Sequence, residues 1–264
     1  MTHNHKFPFQ AATLGDKVYI CGGKDRTWNP FGPNDPRNVT NTCFTTSRTT
    51  QGKWQPAESM NVARFGHTLT RVGHRLVATG GGGVPDLGRE QYGGTQLDSI
   101  EIFQPDMGWQ VSKLRLIRPD TWHCALGIDN SRLIILSGTG NNNETEVTMY
   151  NIDSGAVESF APPPGTGRGP HFCTSDEDSV YIAEWLAHSQ YKIHHFVPKL
   201  QNWIPGIPRL NETKVEGMAI INGHLTVFGR LQVSVLRDNQ WITAKKQPMG
   251  QLNGGAVIVF PRRV

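Results

Sequence analysis

Three sequence pairs of histidine and cysteine residues could place metal ligands side by side. They are His123–Cys124, His171–Cys173 and His194–His195. A zinc site needs ligands that converge on one point, whereas adjacent residues of a β-strand point to opposite faces of the sheet. His67, His123 and His171 also recur at one place in successive segments of similar sequence, which favours a structural role in which they bond loop backbone. The sequence therefore predicts neither a metal site nor another cofactor.

The sequence also gives little support for phosphate binding or nucleophilic catalysis. Gly80–Gly83 end an apolar run, but a phosphate loop would need a following helix and, for a P-loop, also a Lys-Ser/Thr pair. The sequence that follows, VPDLGREQYGG, is typical of a loop. No G-x-S-x-G elbow occurs, and Ser137 in ILSGTG takes the place of a glycine in a repeated pattern. The glycines indicate a sharp turn at a strand end, and no residue is predicted to be catalytic.

A pattern of four short strands recurs five times along the chain. An apolar strand that ends in glycine occupies 17–23, 75–83, 132–138 and 224–230, with a degenerate copy at 179–185. A short strand precedes each copy and an alternating strand follows it. A fourth strand opens on Trp54, Trp109, Phe160, Trp203 and Trp241 in turn. Such units cannot bury both faces alone, so they stack radially into an all-β propeller. The predicted units are 8–60, 61–115, 116–165, 166–209 and 210–250, within a single domain of residues 1–264.

The second unit carries a family resemblance. Its sequence MNVARFGHTLTRVGHRLVATGGGG places Arg64 and His67 before the first strand and a double glycine after the second, with Glu101 and Trp109 further on. This unit resembles a kelch repeat; the third unit is similar, and the fourth and fifth are degenerate. The resemblance implies a kelch-type propeller like those of BTB-kelch adaptors, with a C-terminal strand (251–261) that completes the first blade as its innermost strand. Five blades are expected, with six as the alternative, because N-terminal PFQAAT competes for the same place.

The resemblance also implies a function in protein binding. Arginines near the segments between units contact acidic peptides in such adaptors, since a guanidinium matches carboxylate geometry. The corresponding residues here are Arg64, Arg118, Arg168 and Lys214, and the alternative is that each bonds backbone carbonyls and holds neighbouring blades together. Trp28, Phe31 and Tyr92 lie on two long loops and are further candidate contacts with a partner. We expect a non-enzymatic interaction module with an acidic protein or peptide partner. An enzyme acting on a small molecule at the channel mouth and an actin-bundling propeller are the alternatives.

Charge and cysteine content bear on partners and compartment. The net charge of +4 comes from scattered residues, which argues against nucleic-acid binding, and no stretch reaches the ~18 apolar residues of a membrane span. Cys21 and Cys43 fall on neighbouring strands and are candidates for a disulfide, whereas Cys124 and Cys173 are expected to be small buried residues. Sequons begin at Asn38, Asn143 and Asn211. The N-terminal MTHNHKFPFQ lacks an apolar signal region, so a cytoplasmic location is favoured over an extracellular one.

Overall fold

The computed structural model is built from short antiparallel strands. It describes residues 6–7, 9–25, 38–47, 49–50, 52–83, 95–137, 146–163, 172–176, 178–186, 190–212, 215–229 and 232–246. The chain forms two compact units, residues 1–123 and 124–264. No helix in the described ranges is long and apolar enough to cross a membrane.

The first compact unit contains two four-stranded blades. Blade 1 consists of β2 (Gln10–Leu14), β3 (Lys17–Cys21), β5 (Cys43–Ser47) and β6 (Gln55–Ala57), and a short ladder joins β1 (Lys6–Phe7) to β4 (Lys24–Asp25). Blade 2 consists of β7 (Thr68–Val72), β8 (Arg75–Thr79), β9 (Ser99–Gln104) and β10 (Gly108–Arg115). In both blades, each strand pairs antiparallel with the one before it in the sheet, as expected of a meander, although long connections join the second and third strands of each blade.

The second compact unit contains three blades of the same order. Blade 3 consists of β11 (Cys124–Gly127), β12 (Arg132–Ser137), β13 (Glu146–Asn151) and β14 (Val157–Phe160). Blade 4 consists of β15 (Phe172–Ser175), β16 (Val180–Trp185), β17 (Gln190–Val197) and β18 (Asn202–Ile204), with β19 (Leu210–Asn211) paired to the start of β17 and a 3₁₀ turn at Pro198–Leu200. Blade 5 consists of β20 (Val215–Ile221), β21 (His224–Gly229), β22 (Gln232–Arg237) and β23 (Gln240–Lys246).

Apolar side chains bury the faces at which neighbouring blades pack. Between blades 1 and 2, Tyr19 contacts Phe103 at 5.5 Å between ring centroids, and Phe103 contacts Trp109 at 5.3 Å. Comparable cores join blade 3 to blade 4 and blade 4 to blade 5. Burial of this apolar surface is the main stabilising contribution, at about 25 cal/mol per Å².

A tryptophan near the start of the outer strand ties its blade to the preceding one. The indole N–H of Trp109 donates to the carbonyl of Glu58 at 3.1 Å, and that of Trp203 donates to Ala161 at 2.9 Å. Trp241 repeats the bond, to the carbonyl of Pro208 at 2.8 Å. The spacing of these residues in the sequence therefore reflects a repeated hydrogen bond, in addition to buried aromatic area.

Blade 3 departs from the expected position of its closing aromatic residue. Trp109 lies opposite Phe103 in the ladder, and the corresponding residue in blade 3 is Val157, opposite Tyr150. Phe160, the predicted residue, lies three places further on, with its ring 5.6 Å from that of Phe196 in blade 4. Phe160 thus fills the space between blades 3 and 4 from a different position in the strand ladder.

The predicted fold class is confirmed: the described residues form five four-stranded antiparallel blades of an all-β propeller. Among the described strands, β2 is the innermost of blade 1 and pairs with β3 along its whole length. Within this described part of the chain, the N-terminal strand thus stands at the position expected for the C-terminal one. Residues 251–261 lie outside the described residues, and the boundaries of the five units stay predictions.

Candidate functional site

Arg64 lies in the segment that leaves blade 1, and its guanidinium is buried inside blade 2. It donates to the Glu101 carboxylate at 2.7 Å and to the carbonyl oxygen of Gly80 at 2.7 Å, with further bonds to Ser99. Both charged side chains are fully buried. Burial lowers the pKa of Arg64, and the charge of Glu101 acts in the opposite direction. Arg64 has no surface to offer a partner here and makes the blade-holding contacts of its alternative interpretation.

Glu101 completes this buried network. Its second oxygen accepts from the backbone N–H of Asn61 at 2.6 Å and from the Asn61 side chain at 2.9 Å, while the first also accepts from the N–H of Val62 at 3.0 Å. The carboxylate is therefore satisfied by one guanidinium and several amides, as a buried charge requires. The network fixes the exit of blade 1 to the third strand of blade 2.

Arg118 does not occupy the position of Arg64 in the next repeat. The carbonyl of Arg64 accepts from the N–H of Gly23 at 2.8 Å, and the equivalent bond from Gly81, also 2.8 Å, goes to Asp120. Asp120 is therefore the counterpart of Arg64, and it is buried. Arg118 lies two residues earlier and is half-buried. Arg64 and Arg118 are thus not equivalent members of a basic ring. Arg118 by itself remains a candidate contact with a partner.

Two of the recurring histidines, His67 and His123, pack between blades and make no hydrogen bond to the loop backbone of the described residues, while His171 lies outside those residues. The Cε1 atoms of His67 and His123 lie 2.6 and 2.7 Å from where a Cβ would stand on Gly22 and Gly80, so only glycine fits beneath either ring. His123 Nε2 shares a 2.8 Å hydrogen bond with Thr79 Oγ1. Both ring nitrogens of His67 are buried without a hydrogen-bond partner. Burial is the largest cause that lowers the pKa of His123 to about 4 and that of His67 well below its usual value.

All four cysteines form disulfides. Cys21 and Cys43 lie directly opposite each other on β3 and β5 and are bonded, with 4.2 Å between their Cα atoms. Cys124 and Cys173, which were expected to be unbonded buried residues, join β11 of blade 3 to β15 of blade 4, with 6.1 Å between Cα atoms. The second bond links the innermost strands of neighbouring blades, a proximity that the sequence did not indicate.

A small aromatic and cationic surface lies where the segments between blades meet. We call Lys24, Phe65 and Trp122 the Trp122 surface. The rings of Phe65 and Trp122 meet edge to face at 6.5 Å, and the Lys24 ammonium stands 4.0 Å above the Phe65 ring. Two reciprocal backbone hydrogen bonds, 2.8 and 3.0 Å, hold Phe65 against Gly82. The surface is therefore a platform held by backbone hydrogen bonds, and the side chain of Trp122 on it is about half exposed.

Trp122 is 52% exposed and has a left-handed backbone, with φ of 63°. A bulky residue with positive φ is a rare conformation that points to a functional constraint. The equivalent residue in the preceding repeat, one before His67, is Gly66 with φ of 58°, so the fold requires this backbone shape at both places. The N–H of Trp122 donates to the carbonyl of Gly66 at 2.7 Å. The third repeat thus carries a tryptophan where glycine is the unstrained choice.

Lys24 adds a positive charge to this surface. Burial against Phe65 lowers its pKa, and no carboxylate of the described residues lies within ion-pair distance of its ammonium group. The cation attracts an anionic group, and the aromatic face beside it packs against a ring or an aliphatic chain of the partner. The surface can therefore bind a group that combines apolar area with negative charge.

Several predicted site residues lie outside the described residues. They are Trp28, Phe31, Tyr92, Arg168, Lys214 and Asn143. Of the remaining sequons, Asn38 is half-buried and Asn211 is exposed. Within the described ranges, no group of three His, Cys, Asp or Glu side chains is arranged to hold a metal ion.

Comparison with known proteins supports the fold. No family model matches the chain, and no curated protein matches it. Among solved structures, the chain is similar to the structure of YjhT, with 13% sequence identity and a TM-score of 0.67; the match covers 93% of this chain and 86% of that one. At this identity the likeness shows the fold alone. The kelch assignment stays a prediction, and the propeller fold is compatible with protein partners.

Proposed function

We propose that this protein is a non-enzymatic interaction module that binds a partner segment at the Trp122 surface. The segment places an aliphatic or aromatic side chain against Trp122 and a carboxylate beside Lys24. One observation carries the proposal: Trp122 keeps half its side chain in solvent and a left-handed backbone at a position where the preceding repeat has glycine. Strain retained on an exposed aromatic residue supports selection for binding over selection for stability.

Charge supports the acidic character of the partner. Lys24 lies on the platform, and Arg118 lies in the segment that leads to Trp122. Carboxylates on the partner gain attraction from both residues and faster association at low salt. Arg168, Lys214, Trp28, Phe31 and Tyr92 remain predicted contributors to the same activity.

The proposal is tested with synthetic peptides, because the natural partner is not identified. One fluorescently labelled probe alternates Glu with Leu and Phe, and a second replaces every Glu by Lys. We expect the acidic peptide to raise fluorescence anisotropy on binding and the basic one to give no change. Trp122→Gly should weaken the acidic peptide about 30-fold, the roughly 2 kcal/mol typical of an aromatic anchor, and Lys24→Gln should reduce the salt dependence of binding.

Trp54→Ala is the matched control, because Trp54 is also an exposed tryptophan of the first compact unit but opens an outer strand away from the platform. This variant should bind like the unaltered protein. Equal affinity of the unaltered protein and Trp122→Gly for the acidic peptide, or preference for the basic peptide, would refute the proposal.

A further inference from the structure

Asn211 presents an accessible amide within the sequon Asn211-Glu-Thr. It lies in the short strand β19, opposite Gln190 of β17, and it is exposed while its neighbour Leu210 is buried. The side-chain oxygen of Asn211 accepts from Gln190 Nε2 at 3.3 Å. Its amide nitrogen, Nδ2, makes no hydrogen bond to any described residue. The arrangement holds the side chain of this exposed residue by its oxygen, and no described residue bonds its nitrogen.

Asn38 begins a sequon of the same kind with the opposite geometry. Its Nδ2 atom is buried, and the adjacent Val39 is also buried and bridges to Lys24. A bulky glycan on that nitrogen would have to displace this packing. The folded chain therefore distinguishes two sequons that the sequence alone makes equal.

The cysteines give independent support for an oxidising environment. Each of the two disulfides joins neighbouring strands, and they use all four cysteines of the chain. Such bonds form and persist in secreted and lumenal proteins and are rare where thiol reductants are abundant. Compartments of that kind in eukaryotic cells also attach oligosaccharides to Asn-X-Ser/Thr. This observation favours such a compartment, in contrast to the cytoplasmic location expected from the N-terminal sequence.

We propose that Asn211 is an N-linked glycosylation site and that the chain matures in an oxidising compartment. In the transfer, Nδ2 of Asn211 loses a proton and bonds to the anomeric carbon of an oligosaccharide, whose lipid pyrophosphate leaves. Each disulfide forms as two thiols give two electrons and two protons to a disulfide oxidant. Asn38 stays unmodified in the folded protein.

The test is to direct the full chain into the secretory pathway of cultured eukaryotic cells and analyse the product by mass spectrometry. Treatment with an N-glycosidase should remove one glycan and leave aspartate at position 211, and a non-reducing peptide map should show both disulfides. Asn211→Gln should lose the glycan. The matched variant Asn38→Gln should leave the glycan mass unchanged.

Three results would overturn the proposal. The first is a secreted, folded chain with unmodified Asn211, and a glycan found at Asn143 alone counts as this result. The second is a folded product glycosylated at Asn38, which would refute the argument from burial. The third is complete alkylation of the cysteines in native secreted protein, since it would show that the disulfides do not form.

Discussion

Trp122 offers a direct test of the claim that its left-handed backbone is strained. We compare Trp122→Ala with Trp122→Gly. Both variants lose the indole and its contact with Phe65, but alanine keeps a Cβ in the left-handed region whereas glycine does not. In ordinary strand and helix positions alanine is the more stabilising of the two. At position 122 we expect the order to reverse.

The size of the reversal follows from two opposing terms. An L-residue in the left-handed region costs about 1–2 kcal/mol, and glycine costs about 0.5–1 kcal/mol through the entropy of the unfolded chain. Trp122→Gly should therefore have a free energy of unfolding about 0.5–1 kcal/mol higher than Trp122→Ala. Both variants lose the same indole, so the buried apolar area that is lost is the same for both and cancels when the two are compared.

Urea unfolding followed by circular dichroism measures the difference, provided that the two variants share an m-value. The same pair of substitutions at Trp185 is the control, since that residue is 43% exposed but lies in the extended strand β16. There, alanine should be more stable than glycine. If Trp122→Ala were as stable as Trp122→Gly, or more stable, the inference of strain at position 122 would fail.

Three further predictions concern the buried network and the links between blades. Arg64→Met leaves the Glu101 carboxylate buried without its guanidinium, so we expect urea unfolding to show a loss of about 3–5 kcal/mol; a loss below 1 kcal/mol would contradict this. His123 is neutral when folded, with a pKa of about 4 against an ordinary value of 6.5, and its unfolded form takes up a proton between those pH values. The contribution of His123 to the free energy of unfolding is therefore fully present above pH 6.5 and should fall by about 3 kcal/mol as the pH drops to 4. His123→Gln should remove this part of the pH dependence, whereas the part due to His67, whose pKa is also lowered, should remain. Cys124→Ser removes the disulfide to Cys173, which joins residues 49 positions apart. It should lower the free energy of unfolding by about 4 kcal/mol. An unchanged urea midpoint of unfolding would contradict this.

Local periodicity was enough to predict the blades but not their registers. The glycine-ended strands and the tryptophan spacing identified five four-stranded units, because these features report the turns and interblade bonds that every blade repeats. Phe160 was assigned the role of Trp109, since both are aromatic at similar spacing. The position of a residue in the strand ladder depends on the length of the preceding hairpin. In blade 3 the register places Val157 at the position that Trp109 has in blade 2.

The histidines would have located the site better than the arginines did. Arg64 lies three residues before His67, whereas Arg118 lies five before His123. Counting back from each histidine aligns Arg64 with Asp120, which is the alignment that the structure has. The same count aligns Gly66 with Trp122, so the sequence itself carries the signal that marks this position. The Cys124–Cys173 disulfide could not be found in this way, because it depends on the stagger between neighbouring inner strands.

Where one repeat differs from the others at an equivalent position, the energetic cost of the difference helps to distinguish a structural residue from a functional one. Where blades share a residue, as with the indole bonds of Trp109 and Trp203, the shared contact explains the residue and no partner is needed. Where one repeat departs without a left-handed backbone, as at the exposed Val157, Phe160 fills the space between the blades instead. Trp122 departs from Gly66 at an energetic cost, and although its indole packs over Gly66 and against Phe65, about half of its side chain remains in solvent. Selection for stability alone disfavours such a residue, and binding of a partner at its exposed face is the explanation that we propose.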